Sequence, residues 1–476
     1  MRKNSKKNFC INTNREYTDS KYNGFTLIEL LAIIVILAII AVITVPIILN
    51  IIEDAKQGSV TDSAYGYKNA IQKHSMFLQT RDSNSDGLNG SYTVDELKTL
   101  GLEVTGKEPS EGIILVDNEG ISGCLKFDEY TTYLYNNQVI STAKGNCPTQ
   151  KLVTQGDGLY KSTTEPGRLI YRGADPDNRI FLKEDGTNDV LYRIVSYETD
   201  GTIKVVRDER ILKGGANTIA WDTKNIRIGD SNTYCSSAAD YGCNVWGNQT
   251  NTLYNGTSLG DSFHYSYYAS ASATTLTNGG SGKVGAESTL NIYLNSKIAN
   301  SGDSWQPAIQ LDNYIDNHSW KVGGLYYTSS YKNGDKGIQR EKEEESLYTW
   351  TGKIGLMNIT EFAEASTNTG CDVFTNFGYN AELYYYKDEG ASTASIHTPS
   401  TGWPCAASNW TFKSGYHQWS LSPNSSYRNG VWHVISAGYF STNGAGYTYG
   451  VRPAFYLKSQ INLSGSGISG DEYTIE

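Results

Sequence analysis

The strongest constraint on the fold is a long apolar run near the N-terminus. From Leu30 to Leu49, Thr44 and Pro46 alone interrupt the apolar residues, which gives 20 positions. A helix of about this length spans a bilayer. Glu29 lies at the start of the run, and a carboxylate in a membrane segment is costly unless a partner compensates its charge. The sequence therefore predicts a membrane helix with a functional glutamate at one end.

The residues before this helix indicate a processing site. A basic leader precedes the apolar run and is expected to face the cytoplasm; its cations include Lys3, Lys6, Lys7, Arg15 and Lys21. Cleavage after Gly24 would give Phe25 a free α-amino group, the obvious partner for Glu29. The tract from Gly24 to Leu31 resembles the N-terminus of type IV prepilins and pseudopilins. The resemblance implies that a prepilin peptidase cuts after Gly24 and that Phe25 is N-methylated. It also implies that Glu29 pairs with the amine of a neighbouring subunit during assembly.

Two other kinds of N-terminal segment remain as alternatives. An uncleaved signal anchor would show the same apolar span, and a secretory signal peptide would show a shorter run followed by small residues. Here the run ends on Pro46 and three large aliphatic residues, where a secretory signal peptide would have small residues. Neither alternative accounts for a glutamate at the start of the span.

The charge balance supports a chain that is split at Gly24. Residues 1–24 hold six basic and two acidic side chains, and their removal from the chain's 40 and 50 leaves 34 and 48, a net charge of −14. Such a balance favours solubility and argues against a broad contact with nucleic acid.

The helix is expected to continue far beyond the membrane. Apolar residues recur with helical spacing on one face; they are Val60, Ala64, Tyr67, Ile71 and Leu78. A single helix over 25–80 would be roughly 84 Å long, with 25–52 in the membrane or in a filament core. Pro46 predicts a kink, because it removes one hydrogen bond and clashes with the preceding turn.

The predicted fold class is α+β. A small pilin-like head with an antiparallel sheet is expected over 81–149, and its strands are predicted at 112–116, 123–127, 131–135 and 138–141. The polar segment 150–164 predicts a linker. A large β-rich extracellular domain is expected over 165–476, with a hairpin formed by 190–195 and 202–207. Its clearest helices are predicted at 288–295 and 355–366.

The cysteines indicate disulfide bonds. Cys10 lies in the leader, and six cysteines remain, for which sequence alone permits 15 pairings. Proximity suggests three local pairs: Cys124–Cys147, Cys235–Cys243 and Cys371–Cys405. Neither a CxxC nor an HxxxH spacing occurs, which argues against a structural metal site. We therefore expect no cofactor, with calcium as a minority hypothesis.

The calcium hypothesis rests on one loop. Asp82, Asn84 and Asp86 alternate and are followed by Gly87, as in the first half of a calcium-binding loop. Such a loop would have a glutamate where Thr93 stands. The alternative is an ordinary Asx-turn loop.

The large region resembles an uncharacterised extracellular domain of Bacillota surface proteins. The matching segments are 169–178, 191–195, 289–295, 355–357, 419–423 and 450–458. The last two are also loosely similar to the closing core of C-type-lectin-like folds. Its histidines are scattered outside any catalytic motif, so we expect no enzymatic activity. Abundant Tyr, Trp, Ser, Gly and Asn favour a binding surface, with Tyr-rich stretches at 264–268, 384–386 and 439–449.

Together these features predict a type IV pilin-like filament subunit, at a minor or tip position, that displays an adhesin-like domain. A domain of about 310 residues on every subunit would crowd a filament whose helices pack 8–10 Å apart. The alternatives are a pseudopilin of a competence or secretion machine and a membrane-anchored carbohydrate-active enzyme. Expected partners are other pilin subunits, the prepilin peptidase, the pilus assembly machinery, the membrane and a glycan or protein ligand. The precursor should cross the cell membrane once and then enter an extracellular filament.

The processing motif gives a direct prediction. The mature protein should begin at Phe25, with its amine methylated, and Gly24→Leu should leave precursor in the membrane because a bulky side chain replaces the glycine before the cut. Mass spectrometry of the N-terminus of envelope-extracted protein measures this. Recovery of intact residues 1–24 on the native protein would contradict it.

Overall fold

The computed structural model describes most of the chain, with gaps. The described residues are 26–184, 186–212, 216–223, 226–228, 232–233, 246, 250–251, 276–278, 288–296, 309–322, 341–342, 345–346, 348–368, 407–424, 430–436, 438 and 440–476. The chain divides into two compact units, Met1–Lys56 and Gln57–Glu476. The predicted pairs Cys235–Cys243 and Cys371–Cys405 lie outside the described residues, as do Gly24 and Phe25.

Helix α1 spans Leu27–Arg81, close to the predicted 25–80. Residues 26–52 are all exposed, which matches the segment assigned to a membrane or filament core. This part contains a window that is long and apolar enough to cross a membrane. The helix continues through Pro46, and the hydroxyl of Thr44 donates to the Ile40 carbonyl at 2.8 Å. The kink at Pro46 stays a prediction.

The second half of α1 packs against a sheet, and the helix face that makes this contact is the predicted one. Val60, Ala64, Tyr67 and Ile71 are buried there, and Leu78 is partly buried. They meet apolar residues from one face of the sheet, namely Ile114, Ile121, Leu125, Phe127 and Leu134. The 3.6-residue helical period thus correctly indicated the contact surface.

The sheet is the predicted antiparallel meander, with one additional edge strand. Its strands are β1 (Gly90–Thr93), β2 (Glu111–Asp117), β3 (Gly120–Phe127), β4 (Tyr130–Tyr135) and β5 (Gln138–Lys144), in the order β1-β2-β3-β4-β5. Helix α2 (Val94–Thr99) follows β1, and a reciprocal capping box between Thr93 and Glu96 fixes its start. All four predicted strands are confirmed within a few residues.

The opposite face of this sheet is also buried. Successive side chains of a strand point to opposite faces, so Ile113, Leu115, Cys124 and Tyr133 turn away from α1. They join a core that includes residues of the large region, among them Leu152, Leu159, Tyr171 and Tyr197. The disulfide Cys124–Cys147, with a Cα–Cα distance of 5.6 Å, is confirmed on this side.

The segment 150–164 differs from the predicted linker. It contains strand β6 (Gly158–Lys161) and the fully buried Leu152 and Leu159. The Lys161 ammonium bonds Asp117 at the end of β2 and Glu119 in the β2–β3 turn, at 2.7 Å each, and Asn136 in the β4–β5 turn at 3.1 Å. A polar composition suggested an exposed connector, but two leucines and one lysine attach the segment to the head.

The large region contains a second sheet of seven strands. It comprises β6, β7 (Leu169–Arg172), β8 (Arg179–Lys183), β9 (Asp189–Tyr197), β10 (Ile203–Arg207), β18 (Ile354–Gly355) and β23 (Ala454–Leu457). The order is β18-β23-β10-β9-β7-β6, and β8 pairs with β9. The predicted hairpin is therefore confirmed as β9 and β10.

Smaller sheets and three helices complete the described part of this region. The pairs are β11 (Ile219–Ala220) with β22 (Thr448–Tyr449) and β24 (Leu463–Ser464) with β25 (Thr474–Ile475). The three-stranded sheets are β13-β12-β15 (Asn232–Thr233, Ile226–Ile228, Leu276–Asn278), β14-β17-β16 (Thr250–Asn251, Tyr348–Gly352, His318–Lys321) and β19-β20-β21 (Gln418–Pro423, Gly430–Val434, Phe440–Gly444). The helices are α3 (Thr289–Ser296), α4 (Ile309–Tyr314) and α5 (Ile359–Glu364).

Helices α3 and α5 were both predicted, and the predicted bounds were close for α3 and too wide for α5. Helix α3 matches the prediction for 288–295. The prediction of a helix over 355–366 was too long, because Gly355 belongs to β18 and α5 begins after Asn358. The backbone of Asn358 donates to the Glu361 carboxylate at 2.8 Å, which fixes this start.

Three backbone segments meet closely where the head joins the large region. Gly201 has φ +86°, and a Cβ on it would lie 2.2 Å from the Lys144 carbonyl oxygen and 3.1 Å from the Ser459 Cβ. A Cβ on Gly145 would lie 3.1 Å from the Gly201 Cα. This contact requires glycine, because any side chain would separate β5 from the β9–β10 turn.

The close contact can be tested by comparing two glycines. Gly156 also has positive φ, +77°, but a Cβ there would meet nothing within 4 Å. Gly156→Ala should cost about 1–2 kcal/mol for the left-handed backbone alone. Gly201→Ala should cost a further ~1–3 kcal/mol from overpacking. Denaturant unfolding of both variants measures the difference, and equal losses would contradict the tight junction.

Candidate functional site

The carboxylate of Glu29 closes a hydrogen-bonded ring at the start of α1. It accepts from the backbone nitrogen and from the hydroxyl of Thr26, each at 2.9 Å. The backbone nitrogen of Glu29 donates back to the Thr26 hydroxyl at 3.3 Å. This reciprocal pattern is a capping box, which satisfies donors that a helix N-terminus leaves unpaired.

The capping box adds a residue that the sequence reasoning missed. Thr26 precedes Glu29 by three positions, and the signature of Ser or Thr followed three residues later by Glu was available in the sequence. The structure thus holds the carboxylate next to the helix start, where the positive end of the helix dipole favours an anion.

The N-terminal segment matches a known sequence motif. Residues 19–45 match the prokaryotic N-terminal methylation motif. The match includes Gly24, Phe25 and Glu29, and it supports a type IV pilin-like or pseudopilin-like precursor that a prepilin peptidase processes. Together with the apolar window of α1, it indicates a membrane-anchored precursor. Neither a curated protein nor a solved structure matches the chain.

The tryptophans that the structure describes in the large region belong to its core. Among the described residues, all seven are buried, with at most 4% exposed. Trp246 lies between two others, with ring centres 5.3 Å from Trp221 and 5.9 Å from Trp350. The indole nitrogens of Trp221, Trp320, Trp410 and Trp419 donate to backbone carbonyls. Their abundance therefore reflects packing.

The Tyr-rich stretches are described only in part. The stretches at 264–268 and 384–386 lie outside the described residues. In the third stretch, Tyr447 is 48% exposed and Tyr449 is partly buried. Of the aromatic residues expected to contact a ligand, Tyr447 is therefore the clearest surface example among the described ones.

The candidate calcium ligands form a turn. The Asp82 carboxylate accepts a hydrogen bond from the backbone nitrogen of Asn84 at 3.0 Å, which is an Asx-turn. In the part of the chain that the structure describes, no group of three or more His, Cys, Asp or Glu side chains could hold a metal ion. Calcium binding at Asp82, Asn84 and Asp86 stays a prediction.

A cluster of buried charges attaches α5 to the segment 162–168. The Glu364 carboxylate accepts from the Ser162 hydroxyl at 2.8 Å, from the Thr163 nitrogen at 2.6 Å and from Arg168 at 3.0 Å. Burial raises the pKa of Glu364, but Arg168 and the surrounding donors outweigh it and hold the pKa below its usual value. This carboxylate is ionised and fully hydrogen-bonded, as a buried charge must be.

Lys204 and Glu361 form a second buried ion pair in this cluster. The Lys204 ammonium bonds both oxygens of the Glu361 carboxylate, at 2.7 and 2.9 Å, and both side chains are at most 2% exposed. The same ammonium lies 5.0 Å from the ring centre of Trp320 and 5.2 Å from that of Tyr456. These contacts compensate the desolvation of the lysine.

Glu345 differs from Glu364 because its pKa is raised and not lowered. Its side chain accepts from the Thr360 hydroxyl and is 7% exposed. Burial, followed by the negative charge of Glu165, raises the pKa of Glu345 to about 7. A carboxyl group with such a pKa is half protonated near neutral pH. Perturbed carboxyls occur in active sites and also in structural ion networks, and the dense packing here favours the structural role.

The raised pKa predicts a pH dependence of stability. The folded protein binds the Glu345 proton more tightly than the unfolded chain, so this carboxyl stabilises the fold below its ordinary pKa and loses that contribution as pH rises through about 7. The loss should reach about 3 kcal/mol. Glu345→Gln should remove it, as denaturant unfolding at pH 5 and pH 8 would measure.

Glu364 provides a comparison of opposite sign. Its pKa is lowered, so its contribution is present above the ordinary carboxyl pKa and disappears as pH falls. Glu364→Gln should therefore destabilise the protein more at pH 8 than at pH 3.5, which lies below the ordinary carboxyl pKa. If the free energy of unfolding changed with pH in parallel for native protein and Glu345→Gln, the raised pKa of Glu345 would be contradicted.

Proposed function

We propose that this chain is a type IV pilin-like filament subunit, at a minor or tip position, that displays its large region at the cell surface. The exposed first part of α1 carries the proposal. Residues 26–52 present apolar side chains all around the helix, and a helix that is apolar on every side must be surrounded by lipid or by other helices. In the precursor this helix would be surrounded by lipid, and in a filament it would be surrounded by the helices of other subunits.

The position of Glu29 supports the same conclusion. Its carboxylate is satisfied by Thr26 within one helix, so insertion of the precursor needs no partner subunit. After cleavage, Phe25 would acquire an ammonium group directly beside the capping box. The carboxylate could then exchange the Thr26 donors for the ammonium of a neighbouring subunit. Because one axial offset brings the two charges together, the pairing would set the register between helices.

The size of the large region supports a minor or tip position. This region shares a core with the head sheet, so a filament would carry it at a fixed orientation to the head. About 310 residues on each subunit would crowd neighbours whose helices pack 8–10 Å apart. The proposed partners are other pilin subunits and the pilus assembly machinery.

We also propose that the large region acts by binding rather than by catalysis. The seven tryptophans that the structure describes point inward, so a glycan or protein ligand would contact tyrosines and polar loop residues. Rigid tyrosines surrounded by small polar residues give contact area at a low entropy cost. Tyr447 represents such a residue on the described surface.

The filament proposal is tested at Glu29. Glu29→Gln keeps the size of the side chain and removes its charge, so the variant should insert and be cleaved yet enter filaments poorly. Glu29→Ala should behave in the same way. Each variant is expressed beside the native assembly machinery, and its amount in sheared filaments is compared with its amount in membranes.

Thr26 supplies the matched control. Thr26→Ser keeps the hydroxyl and should assemble like the native protein, whereas Thr26→Val removes the side-chain partner of Glu29 at nearly constant shape. Because the backbone donor would remain in Thr26→Val, its defect should be milder than that of Glu29→Gln. Native-level incorporation of both Glu29 variants would exclude this carboxylate from assembly and remove the main support for the filament.

A further inference from the structure

Two histidines that are far from any motif come together in the large region. His417 directly precedes β19, and His433 lies on β20, where it pairs with Trp419 in register. Their ring centres are 5.6 Å apart, and the ring planes differ by 26°. The sequence suggested scattered histidines, so this pair is a product of the tertiary fold.

Tyr449 covers both imidazoles. Its ring centre is 5.0 Å from that of His417 and 4.5 Å from that of His433, with interplanar angles of 18° and 28°. The three rings are thus nearly parallel, and the two imidazoles lie side by side against the same tyrosine. The Trp419 ring closes the cluster, with its centre 5.8 Å from that of His433 at an interplanar angle of 72°.

One nitrogen of each imidazole lacks a partner. Nδ1 of His417 and Nδ1 of His433 are both inaccessible to solvent and accept or donate no hydrogen bond in the structure. The His433 side chain is 2% exposed. In the tautomer that carries its proton on Nε2, an imidazole has a lone pair available on Nδ1.

Histidines that ligate a metal ion bind it through such a lone pair on the neutral imidazole.

The spacing of the rings also fits one shared ion. An imidazole nitrogen ligates Zn²⁺ at 2.0–2.1 Å, so the centres of two rings on one ion lie at most about 6.4 Å apart. The observed 5.6 Å is below this limit and corresponds to a bent N–metal–N angle. A buried, unpartnered pair of nitrogens is costly without an ion or a water to satisfy it.

We propose that His417 and His433 form a two-imidazole site for a divalent transition-metal ion such as Zn²⁺. Imidazole nitrogen suits zinc, copper and nickel, whereas calcium and magnesium prefer oxygen ligands. Two imidazoles would fill two of the four positions of a tetrahedral zinc ion, and water or a donor atom of a bound molecule would complete its coordination. This proposal is independent of the filament proposal, because it concerns the β19–β21 sheet alone.

The experiment uses the full-length protein in detergent micelles, freed of metal by chelation and then titrated with ZnCl₂. Native protein should bind one more equivalent of Zn²⁺ than His417→Gln, or bind it at least about tenfold more tightly, as calorimetry would measure. Cu²⁺ as a second probe should give nitrogen splitting in its electron paramagnetic resonance spectrum, and this signal should weaken in the variant. His433→Gln should behave like His417→Gln if it folds.

His74→Gln on α1 is the matched control, because it removes an imidazole outside the cluster and should leave both readouts unchanged. His417 is partly exposed, so His417→Gln should keep the native fold, which circular dichroism checks. Equal Zn²⁺ stoichiometry and affinity in native protein and in a folded His417→Gln would overturn the proposal. A loss of the same size in His74→Gln would overturn it as well.

Discussion

The arrangement of Gln57–Glu476 depends on the burial of both faces of the sheet β1–β5. One face packs on α1 through residues such as Ile114 and Leu125, and the other packs on the large region through Ile113 and Tyr133. Full burial of one such side chain contributes about 1.5–3 kcal/mol. Because adjacent residues of one strand serve opposite cores, neither core can form with the strands in a shifted register.

This two-sided burial explains why the head and the large region are joined by ordered structure. The chain leaves the head at Cys147, which is held to β3 by its disulfide, and it re-enters the core at Leu152 and β6. Lys161 then bonds back to Asp117 and Glu119. The close passage of Gly201 past Lys144 completes the junction. These contacts hold the large region against the head.

Charge is organised differently in the two parts of the chain. In the large region, buried ion pairs such as Lys204–Glu361 and Arg168–Glu364 attach α5 to neighbouring strands and loops. Breaking such a pair is costly, because it leaves an uncompensated charge in the interior. At the start of α1, Glu29 is exposed and depends on Thr26 for its local contacts. That carboxylate therefore remains available for a new partner, whereas the buried ones do not.

The sequence by itself determined the parts that follow from local periodicity. The apolar span, the buried face of α1 through Tyr67 and Ile71, the strands of the head and the Cys124–Cys147 pair were all predicted, because each rests on spacing along the chain. The processing motif at Gly24 was readable for the same reason. The tertiary structure alone decided the burial of the second face of the sheet, the role of 150–164 and the inward position of the seven described tryptophans. It also brought His417 beside His433. These features depend on contacts between residues far apart in sequence, which composition and period do not encode.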